Sequence, residues 1–270
     1  MQINTVLKNR YKITGILSKT GQGPVYQARD MHFPHVMRLV ALKEMRADSV
    51  DPATRESMII RFIAHVRLWE SLQHPAIPLI YDHFAEKGRA YLVMQYINGR
   101  DLEFIVKSVT EFLPIEMVCK WAIQLCDALQ YLHTHEPPLI FGVLEPSNIM
   151  IDVPGDAKLV DFGMARIFQS KPAVNFDAYA SPEWVEHGKI TAASDIYSLG
   201  ASLHHALTRR DPRSDLPSTF SEHPIRSLNP KASLDLEAIV TRALLHKPQQ
   251  RFSSALAMKE ALQQCLEGMA

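Results

Sequence analysis

Short apolar runs set off by turn residues lie at positions 11–17, 25–29, 39–45, 80–85 and 90–96, and predict five strands in the first third of the chain. Between the third and fourth of these the period changes. Ile59, Phe62, Ile63, Val66 and Trp69 recur at helical spacing up to Leu72, behind Asp51 as N-cap and Pro52 at the first helical position. Asn98-Gly99 marks a boundary, giving a mainly β part over about 1–97 and a mainly helical part over about 98–270. In the second part Asp101 caps a short helix, and Pro114 opens a longer one to about His135. Trp121, Leu125, Ala128, Leu129 and Leu132 form that helix's buried face. Two apolar runs, 149–151 and 158–160, are joined by Pro154-Gly155-Asp156 and predict a small hairpin. Helices are expected at 234–245 and 254–266, and a long loop over 210–230, which is rich in Pro, Ser and Asp.

Composition adds little beyond a globular balance. Apolar residues make up 47% of the 270 and charged residues 21%, with 29 basic and 29 acidic side chains, so bulk charge gives no reason to expect a nucleic-acid or membrane partner. Cys119, Cys126 and Cys265 form no metal-ligand spacing, and their odd number and scatter suit a reducing, cytoplasmic setting. No secretory signal opens the chain and no run reaches the length of a spanning helix.

The candidate chemistry sits on the hairpin. Asn148 stands just before its first run and Asp161 just after its second, so the hairpin would bring an amide oxygen and a carboxylate together. These are hard ligands of the kind Mg²⁺ accepts alongside phosphates. Upstream, the turn 18–23 contains Gly21 and Gly23, which a simple hairpin turn would also explain, and Lys43 taken alone is a strand-surface lysine.

Taken together these stretches resemble the protein kinase family, and bacterial Ser/Thr kinases in particular. Val40-Ala41-Leu42-Lys43 matches V-A-I-K, Asp161-Phe162-Gly163 is D-F-G, and Ser181-Pro182-Glu183 stands for A-P-E. Asp195-Ile196-Tyr197-Ser198-Leu199-Gly200 matches the start of the central helix, and Arg251 matches the late arginine that pairs with the A-P-E glutamate. In order, these motifs cover nearly the whole chain. The resemblance implies an α+β, two-lobed kinase-like fold: a small mainly β lobe with one helix, and a larger mainly α lobe. It implies ATP and Mg²⁺ as ligands. Leu17, Val25, Ala41, Lys43, Met94, Gln95, Ile97 and Met150 would surround the nucleotide with Asn148 and Asp161, and the last two would hold the metal. It further implies that Asp195 ties the catalytic-loop backbone to its helix, and that Ile80, Trp69, Phe141 and Phe162 form a hydrophobic stack.

The departures from the family pattern cluster. Where the family has H-R-D-L-K-P-x-N, this chain has Phe141-Gly142-Val143-Leu144-Glu145-Pro146-Ser147-Asn148. Val143 occupies the place of the catalytic aspartate, Glu145 that of the lysine, and Phe176 that of a threonine. Glu145 would repel the transferring phosphate, by roughly 3–4 kcal/mol at 4–5 Å and an effective dielectric near 20. Gly142 replaces the arginine that grips an activation-loop phosphate, and Ser170 is the one hydroxyl between D-F-G and Tyr179. Ser18 and Thr20 replace two phosphate-loop glycines. His65 stands where a glutamate would pair with Lys43, although a helix-face histidine serves equally as a reading. His133 and His135 are given no function, and His204-His205 is read as one surface and one core residue. Three functions stay open: a nucleotide-binding regulatory pseudokinase with a signalling protein partner, a weakly active or atypical Ser/Thr kinase, and a scaffold that binds no nucleotide.

Overall fold

The computed structural model describes residues 1–20, 23–45, 51–161, 178–214 and 220–269, without the side chains at 19, 20, 52, 53, 55 and 65. Gly21, Phe162, Gly163, Ser170 and Phe176 therefore lie outside the described residues, as does the side chain of His65. The chain falls into two compact units, Met1–Asn98 and Gly99–Ala270.

The N-terminal unit is built on one antiparallel sheet. Its strands are β1 (Val6–Leu7), β2 (Tyr11–Thr20), β3 (Gly23–Asp30), β4 (Leu39–Met45), β5 (Ile80–Glu86) and β6 (Arg89–Gln95), in the order β1-β2-β3-β4-β6-β5. Strand periodicity sorts the side chains. Tyr11, Ile13, Tyr26, Ala28, Val40, Leu42, Tyr91 and Val93 gather on one face as a buried cluster. Glu44 follows Leu42 on that face, where it is buried but satisfied by Arg89 at 2.6 Å and the Tyr26 hydroxyl at 3.1 Å. The strands expected at 11–17 and 25–29 are longer, because pairing continues to Thr20 opposite Gly23. Helix α1 (Pro52–Trp69) starts as expected, with Asp51 Oδ1 accepting the Thr54 N–H at 3.0 Å, but stops at Trp69 rather than Leu72.

The C-terminal unit opens with β7 (Gly99–Asp101), which pairs with the hairpin β8 (Ile149–Asp152) and β9 (Ala157–Leu159). Gly99 is required there: a Cβ would stand 2.0 Å from the Ile151 carbonyl oxygen. Helix α2 (Leu102–Ser108) is capped by Asp101, whose Oδ1 accepts the Phe104 N–H at 2.7 Å. Helix α3 (Ile115–His133) buries Trp121, Leu125, Ala128, Leu129 and Leu132, the stripe its periodicity predicts, and ends two residues before His135. Next come α4 (Pro182–His187), α5 (Ala192–Thr208), α6 (Ile225–Leu228), α7 (Leu234–Ala243) and α8 (Ala255–Glu267), the last two each capped by a serine, Ser233 and Ser254. The expected long loop over 210–230 is corrected: it contains α6 and two single 3₁₀ turns, Pro212–Ser214 and Phe220–Glu222. Asn229 fastens this segment by donating to the Leu207 carbonyl at 2.9 Å from full burial.

Helix α5 is the centre of this unit. Every residue from Ser194 to Thr208 is buried, and α3 and α7 both pack against it. A helix buried all round is normally apolar all round, yet this one carries Asp195, Ser198, Ser202, His204, His205 and Thr208. Each must find a partner in the interior or destabilise the fold, and those partners shape the candidate site. His204 and His205 are both buried, at 4% and 2% exposure, so neither is a surface residue. Among the described residues no helix is long and apolar enough to cross a membrane, and no group of three or more His, Cys, Asp or Glu side chains would hold a metal ion. All three cysteines are free and buried.

Candidate functional site

In the N-terminal unit the register gathers four of the predicted residues. Val25 is paired with Lys43 and Ala41 with Met94, and directly opposed residues share a face. Val25, Ala41, Lys43 and Met94 therefore lie on the face opposite the Tyr26–Leu42–Val93 cluster. Lys43 is fully buried and Ala41 nearly so, while Val25 and Met94 are half-buried. Leu17 sits at a bulge between Ile16 and Ser18, a device that re-aims a side chain, and is 44% exposed. Gln95 departs from the group. Paired with Val40, it falls on the cluster's face, and its side-chain oxygen accepts the Leu79 N–H at 3.4 Å. Ile97 is half-buried and follows the last strand.

In the C-terminal unit α5 holds the loop 141–148 from beneath. The Asp195 carboxylate accepts the Phe141 N–H at 2.9 Å, the Gly142 N–H at 2.7 Å and His133 Nε2 at 2.7 Å. His133 Nε2–H donates to the carboxylate, and its buried Nδ1 has no hydrogen-bond partner among the described residues. The sequence expectation that His133 has no role is therefore corrected: it completes the anchor. Ser202 Oγ donates to the Leu144 carbonyl at 2.8 Å and Ser198 Oγ to the Tyr179 carbonyl at 2.8 Å. Gly142 adopts φ +112°, a conformation that L side chains rarely take, which gives a backbone reason for glycine at this place.

The side chains the loop presents are of another kind. Val143 packs against the buried cluster of Ala178, Tyr179 and Ala201, beside Phe220 and Leu244. Glu145 is half-buried and accepts a hydrogen bond from Ser147 Oγ at 2.6 Å. Burial pushes the Glu145 carboxyl above the usual range, with Glu103 and Asp161 adding to the rise, while Ser147 and the positive charge of Arg213 oppose it. Asn148 closes a 3₁₀ turn, donates from Nδ2 to the Val143 carbonyl at 3.3 Å and accepts the Val160 N–H at its backbone oxygen at 2.9 Å. The hairpin, with Ile149 opposite Leu159, thus sets Asn148 beside the residue that precedes Asp161. Met150, on β8, pairs with Asp101 and Lys158. Asp161 is half-buried with φ +74°, a left-handed conformation that costs a non-glycine residue on the order of 1 kcal/mol or more.

This donor set fits a hard cation. With Nδ2 committed to Val143, the Asn148 Oδ1 remains an acceptor, and Asp161 adds a carboxylate from the same end of the hairpin. Behind the loop, Arg251 grips Glu183 in a fork, Nη1 to Oε1 at 2.8 Å and Nη2 to Oε2 at 2.7 Å, and Ser194 Oγ adds a third bond at 2.7 Å. Burial alone would raise the Glu183 carboxyl, but these bonds hold it down at about 2. Sequence patterns found this ion pair and the Asp195 anchor. They missed the Ser198 and Ser202 contacts and the bond between the Tyr179 hydroxyl and His205 Nδ1 at 2.7 Å, because a serine or histidine on an apolar helix carries no sign of which carbonyl or hydroxyl it will meet.

A helix buried around its whole circumference, a loop hung from its aspartate and a hairpin that brings Asn148 and Asp161 to one end are the arrangement of a protein kinase domain. The chain matches the protein kinase domain family over residues 12–266 and belongs to it. It is 33% identical to the serine/threonine-protein kinase PknB of Mycobacterium tuberculosis, over 95% of this chain and 43% of that protein. It is 32% identical to PknB of Mycolicibacterium smegmatis, over 98% of this chain and 44% of that protein. The chain thus spans less than half the length of these relatives. The crystal structure of the Mycobacterium tuberculosis PknI kinase domain has the same fold, with a TM-score of 0.76 at 23% identity, covering 98% of this chain and 99% of that one. The α+β kinase fold, with its mainly β N-terminal sheet and helical C-terminal unit, stands as the sequence implied. Kinases of this family use ATP and Mg²⁺.

Proposed function

We propose that this chain is a nucleotide-responsive regulatory module, a pseudokinase that holds Mg²⁺·ATP but transfers phosphate poorly. The observation that carries the reading is Val143: at the place where the family has its proton-accepting aspartate, an aliphatic side chain packs with Ala178, Tyr179 and Ala201. Loss of a general base typically costs about 10²–10⁴ in rate, and Glu145 adds a charge of the wrong sign for a phosphate. Phe176, at the threonine place, completes the altered set. The nucleotide ligands are retained. In the N-terminal unit Lys43, Val25, Ala41, Leu17, Met94 and Ile97 serve base and phosphates, Gln95 having turned to the other face, while in the C-terminal unit Asn148 and Asp161 take Mg²⁺ and Met150 an apolar contact. Bound Mg²⁺ would neutralise phosphate charge. The chain's own part is to aim Asn148 through its bond to Val143 and to hold the loop by Asp195. Its output is the binding of a signalling protein partner.

Thermal melting with and without millimolar Mg²⁺·ATP tests the binding half, because a ligand that binds the folded state alone raises its stability. A rise in melting temperature that Asp161→Asn diminishes is expected. No rise would leave a scaffold that binds no nucleotide. Phosphate transfer from labelled ATP to a generic basic protein tests the other half, and transfer at an ordinary kinase rate would overturn it.

A further inference from the structure

The segment that joins β3 to β4 has no part in the nucleotide site, yet its backbone is closed on itself. Phe33 N–H donates to the Asp30 carbonyl at 3.4 Å, Val36 N–H to the Phe33 carbonyl at 3.2 Å and Arg38 N–H to the Val36 carbonyl at 2.9 Å, and Asp30 N–H returns to the Arg38 carbonyl at 2.9 Å. Arg29 Nη2 adds a bond to the Pro34 carbonyl at 3.1 Å. On this frame Met31, Phe33, Val36 and Met37 are all exposed, the last two at 62% and 71%. Arg38 stands among them. Its guanidinium carbon lies 4.6 Å from the Phe33 ring centre and 4.5 Å from that of Tyr81 on β5. Rings hold a cation through their faces and use none of its N–H groups. Those of Arg38 meet no acceptor among the described residues and reach solvent instead. Asp30 is the one acidic residue between 29 and 38, and both its oxygens are taken: Arg10 donates from Nε to Oδ1 at 2.8 Å and from Nη2 to Oδ2 at 2.7 Å.

A guanidinium held by two rings, with its donors open and exposed methionine and valine around it, is complementary to a carboxylate that arrives with apolar neighbours. We propose that the 31–38 segment and Tyr81 form a docking surface for a partner protein. Its occupant is a short stretch in which a glutamate or aspartate, forked on Arg38, is flanked by apolar side chains that rest on Met31, Val36 and Met37. The inference gives a chemistry to the signalling protein partner of the reading above and rests on that part of it. A planar guanidinium takes a carboxylate in two parallel bonds, which an ammonium does not. Unbranched methionine adapts to more than one apolar shape. An anionic membrane fits this face less well, because it is read by clusters of about four or more Lys and Arg, and positions 29–38 hold Arg29 and Arg38 alone.

The test is fluorescence anisotropy of the whole chain with a labelled peptide alternating leucine and glutamate, and with its leucine–glutamine and leucine–lysine counterparts. The parent, Arg38→Gln, Arg38→Lys and Met37→Ser are compared, with a melting curve for each. The parent should hold the glutamate peptide about tenfold tighter than either counterpart, and Arg38→Gln should lose that preference. Arg38→Lys should bind the glutamate peptide about threefold more weakly than the parent, since it keeps the charge and loses the fork. Met37→Ser, which touches the apolar half alone, should weaken the glutamate and glutamine peptides by the same factor. Should Arg38→Gln fail to fold, Arg38→Lys and Met37→Ser carry the test. Equal binding of the three peptides by the parent overturns the proposal, as does undiminished binding of the glutamate peptide by Arg38→Gln. Binding to phosphatidylserine vesicles that depends on Arg38, without preference among the peptides, makes the face a membrane contact and also overturns it. Phosphate transfer measured alongside separates the two readings. Transfer at an ordinary kinase rate refutes the regulatory module whatever the peptides do, while equal peptide binding by a chain that transfers poorly refutes this surface alone.

Discussion

The loop 141–148 has an underside and a tip, and the sequence treats them differently. On the underside, Phe141, Gly142 and Leu144 are hung by their backbones from Asp195 and Ser202 of α5. At the tip, Val143 packs among apolar side chains and Glu145 bonds to Ser147, two residues on. The underside is fixed by backbone hydrogen bonds to α5, whereas the tip carries the side chains on which the proposed loss of phosphate transfer rests. A loop's shape and its reactivity are thus separable. Backbone hydrogen bonds to a buried helix fix the shape whatever side chains the loop presents. On the proposed reading catalysis depends on those side chains, so its loss would cost the fold nothing.

The comparison breaks first at Asp195. Asp195→Ala would leave two buried N–H groups and His133 Nε2–H without an acceptor, and should destabilise the chain by roughly 3–5 kcal/mol. Urea unfolding measures this, and a cost below about 1 kcal/mol would mean that the underside is not an anchor.

The Glu183–Arg251 pair ranks next. Its carboxyl lies at about 2 against an ordinary 4.5, so the folded state prefers the charged form. The stabilisation is complete above pH 4.5, is lost as the pH falls toward 2, and amounts to about 3 kcal/mol. Arg251→Met should remove most of it at pH 7 and flatten the acid limb of the stability–pH curve. An acid limb as steep as the parent's would show that other carboxylates carry it.

At the tip, Val143→Asp introduces a carboxylate into an apolar contact and should cost about 1–3 kcal/mol of stability. It should not create an efficient kinase, because the new charge would stand near Glu145. Val143→Asp combined with Glu145→Lys and Phe176→Thr should transfer phosphate better than any single change, since the three act as a unit. Full activity from Val143→Asp alone would make Glu145 and Phe176 bystanders.

Glu145→Gln has the smallest expected effect on stability. The folded carboxyl is raised above its ordinary value, mainly by burial, so its charged form is a burden at neutral pH. That burden is absent once the pH falls below the ordinary carboxylate range and both states are protonated. The substitution should stabilise by less than about 1 kcal/mol at pH 7 and by nothing at pH 3. Destabilisation at pH 7 would mean that the Ser147 bond outweighs desolvation.

Much of this was legible from local pattern. Asp51 and Asp101 announced their helices as caps, the stripe from Trp121 to Leu132 announced a buried face, and Pro154-Gly155-Asp156 announced the hairpin that joins Asn148 to the strand before Asp161. Each of these is decided within a few residues, by a side chain bonding its own helix end or by a period that matches one element. Short elements inside loops were not legible: α6 is four residues long, too short for a period to register, and Asn229 fastens it from outside.

The sequence alone determined the family, the order of the longer strands and helices, and the chemical identity of the residues at positions 143, 145, 148 and 161. The tertiary structure decided which partners they have. His133 reaches across 62 positions to Asp195, Ser202 reaches across 58 to Leu144, and Arg213 reaches across 110 to Glu103. Such contacts have no local signature, because a buried polar side chain requires a partner but not a particular one, and only the packing of α2, α3 and the loop around α5 brings the particular one within hydrogen-bonding distance.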